Sequence, residues 1–127
     1  MAIERTLKQA NVRPEEIQMI SAHGTATLYN DEMESKAFAL AGLLHADVHS
    51  LKGYLGHTLG AAGILESAIC IKALQEQQVV PSAGFEVIGV PEPINVTIEL
   101  ADKKLDYVLK TASGFGGCNA VVLWAKK

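Results

Sequence analysis

The sequence predicts an α/β fold in which helices alternate with strands and the strands pair in a mixed sheet. Between residues 2 and 71 helical and strand patterns alternate, and strands separated by helices pair in parallel through crossovers. The last two apolar segments are joined by a short glycine-rich turn, so we expect them to close as an antiparallel hairpin. A nearly uncharged helix at 58–71 indicates a helical layer that is covered on both faces.

The chain opens with an amphipathic helix followed by a short strand. Residues 2–10 place Ile3 and Leu7 at helical spacing with charged residues between them. A turn containing Pro14 then leads to a predicted strand at 17–22, and His23 follows directly at its end.

The second helix and second strand have clear boundary signals. Asp31 is predicted to cap a helix that runs to about residue 41, with Glu34 three residues later as in a capping box. Gly42 ends this helix, and a strand is predicted at 48–51.

The helix predicted at 58–71 contains a single charged residue, Glu66, and its apolar residues do not form one stripe. Gly60 and Gly63 each lower helix propensity by roughly 1 kcal/mol relative to alanine, so we expect another backbone to approach closely there. Such a helix needs a layer on each face, and this short chain has one sheet to offer. The sequence therefore suggests half of a larger sandwich.

The rest of the chain is predicted to be a loop followed by strands. Residues 79–93 contain three prolines and two glycines, typical of a long surface loop. Three strands are predicted to follow, at 95–100, 105–111 and 120–124.

Composition limits the class of protein. The 127 residues are expected to form one domain, 1–127, and the 49% hydrophobic content with a mean hydropathy of +0.18 suggests an apolar face that awaits a partner. The net charge of -3 is scattered, which does not indicate nucleic acid. Glu4 interrupts any signal peptide and no apolar stretch is long enough for a bilayer, so we expect a cytoplasmic protein that does not enter a membrane.

Three loops at one predicted edge of the sheet contain the unusual residues. They hold His23 with Thr25 and Thr27, Lys52 with His57, and the turn 114–117 with Phe115. Open α/β sheets bind ligands at the carboxyl ends of their strands, so the three loops are expected to line one cleft. The glycine turn lacks the following helix of a phosphate-binding loop, which makes that interpretation weak.

The two histidines fit a role as hydrogen-bond donors. His57 is placed at a helix start, where the dipole disfavours imidazolium, and a neutral imidazole can donate to a carbonyl that gains negative charge. The alternative is a histidine that simply caps or packs, and His23 alone has the same alternative. No close His pair with a third ligand is present, so neither a metal nor a cofactor is expected.

Lys52 is either a cation that faces a substrate or half of an ion pair with Glu34 or Asp31. The ion pair is favoured, because a lysine beside a buried helix is costly without a counter-ion. Neither Cys70, inside that helix, nor Cys118, in the glycine turn, belongs to a zinc or redox spacing motif.

Three motifs together resemble the carboxyl-terminal half of a β-ketoacyl-[acyl carrier protein] synthase, a ketosynthase of the thiolase-like superfamily. They are His23-Gly24-Thr25-Ala26-Thr27 with Asp31 and Glu34, the stretch from Lys52-Gly53-Tyr54-Leu55-Gly56-His57 through Gly63, and Gly114-Phe115-Gly116-Gly117-Cys118-Asn119-Ala120. The motifs occur in the family's order, and the resemblance covers essentially the whole chain.

The resemblance implies a fold of two similar halves, each a five-stranded mixed sheet with helices, which share central buried helices. It implies decarboxylative Claisen condensation of an acyl thioester with malonyl-[acyl carrier protein], in fatty acid or polyketide synthesis. Acyl carrier protein, with phosphopantetheine-linked acyl and malonyl groups, is the partner that this implies.

Roles for individual residues are also implied by the resemblance. His23 and His57 would assist decarboxylation, with Lys52 as a further catalytic residue that pairs with Glu34. The remaining assignments are support from Asp31, a mobile gate at Phe115, and substrate contacts from Thr25, Thr27 and Gly116.

The resemblance further implies that the nucleophilic cysteine belongs to an amino-terminal half that this chain does not contain. Cys70 and Cys118 are not expected to replace it, so the chain alone is expected to be inactive and to need a missing half or partner chain. It is also expected to self-associate through exposed apolar surface. The alternatives are a non-catalytic partner subunit like a chain-length factor, or a self-sufficient α/β binding domain whose 58–71 helix faces solvent on one side.

Overall fold

The computed structural model describes residues 2–126, which form helices on both faces of a mixed sheet. The helices are α1 (Ala2–Ala10), α2 (Leu28–Leu40), α3 (Lys52–Leu55) and α4 (Ala62–Glu76). The strands are β1 (Met19–Ser21), β2 (Asp47–His49), β3 (Gln78–Val79), β4 (Asn95–Val96), β5 (Ala101–Asp102), β6 (Tyr107–Gly114) and β7 (Cys118–Ala125). Short 3₁₀ turns lie at Pro14–Glu16, Leu59–Ala61 and Phe115–Gly117.

Within residues 2–126, five strands pair in the order β4-β2-β1-β6-β7. The first four are mutually parallel, and β7 returns antiparallel to β6, so the predicted α/β class and mixed sheet are confirmed. The predicted strand 95–100 is wrong beyond its first two residues, because Ile98 and Leu100 face solvent and the chain turns away to pair β5 with β3. That second pair also puts a short strand at the start of the segment predicted to be a loop.

The sheet separates two apolar layers because successive strand residues point to opposite faces. Met19 of β1 packs with Cys70 and Leu74 of α4, whereas Ile20 packs on the other face with Phe38 of α2 and with α1. In the register, Ser21 lies opposite both His49 of β2 and Lys110 of β6. A polar row therefore crosses the sheet on its α4 face.

The predicted start of α2 at Asp31 is wrong. The helix begins at Leu28, and Thr27, in an extended conformation, holds the N-cap position. The carboxylate of Asp31 accepts a hydrogen bond from the backbone N–H of Thr25 at 3.1 Å, and that of Glu34 accepts from the amides that follow β1. Both acids thus anchor the loop before the helix instead of forming a capping box.

The helix expected at 58–71 is displaced and is covered on one face. It runs from Ala62, and its residues Glu66 and Cys70 are buried against the sheet. Ile64 on its other face is 71% exposed, and a Cβ added at Gly60 would meet nothing within 4 Å among the described residues. The face of this helix that points away from the sheet is therefore uncovered, as expected for half of a larger sandwich, because the sheet supplies one layer and residues 2–126 supply no second.

In the part of the chain that the structure describes, no helix combines the length and the hydropathy needed to cross a bilayer.

Removing a buried side chain from the central strand pair should destabilise the fold strongly. Leu109→Ala empties a fully buried position in β6, and we expect a loss of about 2–5 kcal/mol in the free energy of unfolding, measured with urea. Leu100→Ala is the matched control, since that side chain is exposed and its loss should change stability by less than about 0.5 kcal/mol. Equal effects of the two changes would contradict this assignment of the core.

Candidate active site

The backbone that follows β1 is held from two neighbouring elements. The N–H of His23 donates to Glu34 Oε1 at 2.9 Å, and the N–H of Gly24 donates to Glu34 Oε2 at 2.7 Å. Thr111 of β6 donates its hydroxyl to Glu34 Oε1 at 2.7 Å and accepts from the N–H of His23 at 3.2 Å. Glu34 therefore fixes the position of the His23 turn.

Gly24 brings the His23 loop against the loop that follows β2. Its φ of +44° lies in the left-handed region, and a Cβ there would lie 2.6 Å from the Cβ of Ser50. The Ser50 hydroxyl donates to the Gly24 carbonyl at 2.6 Å and accepts from the N–H of Lys52. The close approach joins the His23 loop directly to the loop of Lys52 and His57.

The rings of His23 and His57 lie edge to face with centroids 5.2 Å apart. Lys52 Nζ approaches His23 Nδ1 at 3.5 Å, and the backbone N–H of Leu59 donates to His57 Nδ1 at 3.2 Å. An ammonium and an amide are donors, so each Nδ1 is an acceptor and each ring carries its proton on Nε2. The site thus presents two neighbouring imidazole N–H donors.

His57 does not begin α4, so the helix-start argument made from the sequence is wrong. It lies between α3 and the 3₁₀ turn Leu59–Ala61, and α4 starts at Ala62. The amide of Leu59 in that turn fixes the proton on its ring instead. His23 is buried, and burial lowers its pKa, as do the charges of Lys52 and Lys110, while Glu34 opposes them.

Lys52 pairs with Glu66, and the predicted pairing with Glu34 or Asp31 is wrong. Lys52 Nζ lies 2.9 Å from Glu66 Oε1 and also donates to the carbonyl of His23. Glu34 is occupied by backbone amides and Thr111, whereas Glu66 of α4 is buried against the sheet. The negative charge that compensates the Lys52 ammonium therefore comes from Glu66 of α4.

Lys110 of β6 binds the other oxygen of the same carboxylate, with Nζ 2.5 Å from Glu66 Oε2. All three side chains are at most 8% exposed. Burial raises the pKa of Glu66, but the hydrogen bonds from Lys110 and Lys52 outweigh it and hold that pKa below its usual value. Burial lowers the pKa of Lys110, although Glu66 opposes this. Two ammonium groups thus share one buried carboxylate.

A groove of about 720 Å³ adjoins the histidine pair. Its wall includes Thr25, Thr27 and Lys52 but neither histidine ring, and the two threonine hydroxyls lie 2.7 Å apart. Phe115 and Gly116 are in the turn that ends β6, at the same edge of the sheet. The Phe115 side chain is fully exposed, so the structure does not pack it against the histidines.

Neither cysteine lies beside the two histidines in the position of a nucleophile. Cys70 is fully buried in α4, and burial raises the pKa of its thiol to about 11. Cys118 is exposed at the start of β7.

Sequence reasoning missed Glu66, Lys110 and Thr111 as members of the site. A lone acid in an otherwise uncharged helix was a usable signal, because a buried carboxylate requires a cationic partner. Lys110 gave a similar signal as a charge inside an apolar strand. Which charges meet depends on the sheet register, which the sequence does not display.

The fold and site define the ketosynthase class of the thiolase-like superfamily. A ketosynthase/chain length factor structure, the ishigamide one, superposes with a TM-score of 0.91 and 32% identity, over 98% of this chain and 32% of that chain. A second structure superposes with a TM-score of 0.91 and 28% identity, over 98% of this chain and 32% of that chain. It is a type II polyketide synthase acyl carrier protein in complex with its ketosynthase bound to the hexaketide.

The family model described as "Beta-ketoacyl synthase, C-terminal domain" matches residues 1–86, and the chain belongs to this family. A polyketide biosynthesis malonyl-ACP decarboxylase of Bacillus subtilis is 33% identical over 125 residues, which are 94% of this chain and 29% of that protein. The chain thus spans about a third of the length of the relatives that it matches.

His49 lies in the polar row beneath the site and should make stability depend on pH. Its Nδ1 donates to the Val80 carbonyl at 3.0 Å, and burial lowers its pKa from the ordinary 6.5 to about 4. The unfolded chain therefore takes up a proton first as the pH falls, so stability decreases between about pH 6.5 and pH 4. At about 1.4 kcal/mol per pKa unit the loss is about 3 kcal/mol.

Chemical unfolding of wild type and His49→Phe across this pH range tests the assignment. The variant should lose less stability than wild type as the pH falls. Leu51→Ala is the control, because it removes a buried apolar side chain nearby and should lower stability by the same amount at every pH. An unchanged pH dependence in His49→Phe would contradict the buried neutral imidazole.

Proposed function

We propose that this chain supplies the decarboxylation centre of a β-ketoacyl-[acyl carrier protein] synthase. The observation that supports this best is the pair of imidazole N–H donors, each with its Nδ1 occupied by a donor from the protein. Two fixed donors beside each other form a suitable site for one oxygen atom that becomes negative.

The proposed reaction breaks the bond between the carboxylate and the α-carbon of a malonyl thioester. Carbon dioxide leaves, and the electron pair remains as an enolate whose oxygen accepts hydrogen bonds from His23 and His57 Nε2. The α-carbon then attacks an acyl thioester, and the thiol that held the acyl group departs. Burial and the charge of Lys52 keep His23 uncharged, so it stabilises the enolate as a donor.

The substrate is proposed to be malonyl-[acyl carrier protein], for fatty acid or polyketide synthesis. The groove beside the histidines carries Thr25 and Thr27, whose hydroxyls suit the amides of a phosphopantetheine arm. Gly116 and the gate Phe115 are proposed to shape the same entrance. A relative named as a malonyl-ACP decarboxylase and a neighbour in complex with its acyl carrier protein both support this choice.

The acyl group is proposed to be held by a cysteine outside this chain. Cys70 is excluded by its burial and raised thiol pKa. The exposed apolar face of α4, with Ile64 and Leu65, is the surface where the remaining layer of the synthase would pack, or where the isolated chain would self-associate.

Removing either histidine donor should slow decarboxylation in the native assembly. We expect His23→Asn and His57→Asn each to reduce carbon dioxide release from carboxyl-labelled malonyl-[acyl carrier protein] by about 10²–10³-fold. The assembly is isolated from its source cells through an affinity tag on this chain. His45→Gln is the control, because that exposed ring bonds to the carbonyl of Ile17 away from the site and its loss should leave the rate unchanged.

A second candidate function is a non-catalytic partner subunit that resembles a chain-length factor. The similarity to a ketosynthase/chain length factor structure supports this candidate. Its signature would be an assembly whose condensation rate is the same with His23→Asn, His57→Asn and the wild-type chain.

The isolated chain should not condense acyl and malonyl thioesters. It lacks a reactive thiol in the described site, so mixing it with acyl- and malonyl-[acyl carrier protein] should yield no β-ketoacyl product by mass spectrometry. Formation of that product by the purified chain, abolished in His57→Asn, would overturn the proposal that the nucleophile lies elsewhere.

A further inference from the structure

Lys110 is a buried cation that the proposed reaction does not use. It lies on the α4 face of β6 and is 3% exposed, where an ammonium is costly unless it is fully hydrogen-bonded. Its Nζ lies 2.5 Å from Glu66 Oε2, 2.6 Å from the carbonyl of Thr111, and 3.3 and 3.2 Å from the carbonyls of Ser21 and Ala22. Ala22 directly precedes His23, so Lys110 donates hydrogen bonds to the two backbone carbonyls before His23.

Thr111, the next residue of β6, binds the same turn from the opposite face of the sheet. Its hydroxyl accepts from the N–H of His23 and donates to Glu34. Successive residues of one strand therefore hold the carbonyls before His23 and the amide of His23 itself. Two successive side chains of β6 therefore fix the backbone around His23 by hydrogen bonds.

The charge of Lys110 is more than Glu66 needs. Lys52 already pairs with Glu66, so the cluster contains two ammonium groups and one carboxylate. A neutral residue at 110 would leave Glu66 paired. The surplus positive charge instead acts on His23, whose other charged neighbours are Lys52 from α3, Glu34 from α2, and the ring of His57.

We propose that Lys110 is a positioning residue for His23, holding the turn that carries the imidazole and placing a second positive charge beside it. The arrangement makes imidazolium unfavourable at His23 and fixes the backbone that carries its ring. This inference rests on the proposed function for its purpose, since a neutral donor is what the enolate requires. Its geometry involves no substrate, so it is testable without turnover.

The test is the NMR titration of the His23 imidazole in the full chain, with histidine labelled by ¹⁵N. In Lys110→Met the titration should move to higher pH, because one repelling charge is gone while the Lys52 and Glu66 pair remains. Lys110→Arg should restore a titration near that of wild type, since it keeps the charge. Lys72→Met removes a charge from the exposed side of α4 and should leave His23 unchanged.

A second neutral variant, Lys110→Gln, covers the case in which methionine does not fold there. A His23 titration that is identical in wild type and in a folded neutral variant would overturn the proposal and leave Lys110 a structural counter-ion. Failure of both neutral variants to fold, with Lys110→Arg folded, would overturn it in the same way. The proposed function is tested separately: carbon dioxide release that is unchanged in His23→Asn and His57→Asn would contradict it, whatever the His23 titration shows.

Discussion

The buried carboxylate of Glu66 is the interaction on which the site depends. Its two oxygens bind Lys52 of α3 and Lys110 of β6, so one side chain of α4 connects three elements. Because all three side chains are at most 8% exposed, each charge depends on the others for stabilisation, and loss of one partner from a buried pair typically costs several kcal/mol. The same lysines reach the carbonyls on either side of the His23 turn.

Proton placement at the site follows from this arrangement. An ammonium faces Nδ1 of His23 and a backbone amide faces Nδ1 of His57, so both rings are left with donors on Nε2. No helix dipole is required, and the pattern is consistent with the chemistry proposed for a member of the β-ketoacyl synthase family. Glu34 serves a different purpose, since its carboxylate accepts the backbone amides of His23 and Gly24.

The face of α4 that points away from the sheet is apolar and exposed. The chain spans about a third of the length of its relatives, and the apolar residues of that face, Ile64 and Leu65, have no covering layer among residues 2–126. Under the proposed function, this site is one wall of a larger cleft whose nucleophile lies outside the chain. The contacts described here orient the two histidine donors, and the proposal assigns the group that holds the acyl chain to another part of the synthase.

The sequence by itself determined the α/β class, the parallel pairing of the early strands and the presence of His23, Lys52 and His57 in loops at one edge. These follow from local signals: hydrophobic periodicity, glycine and proline positions, and helices between strands. Only the tertiary structure decided that Lys52 pairs with Glu66, that Lys110 joins them, and that α2 starts before Asp31. The reason is that buried charges choose partners by strand register and helix rotation, which bring together residues far apart in the chain.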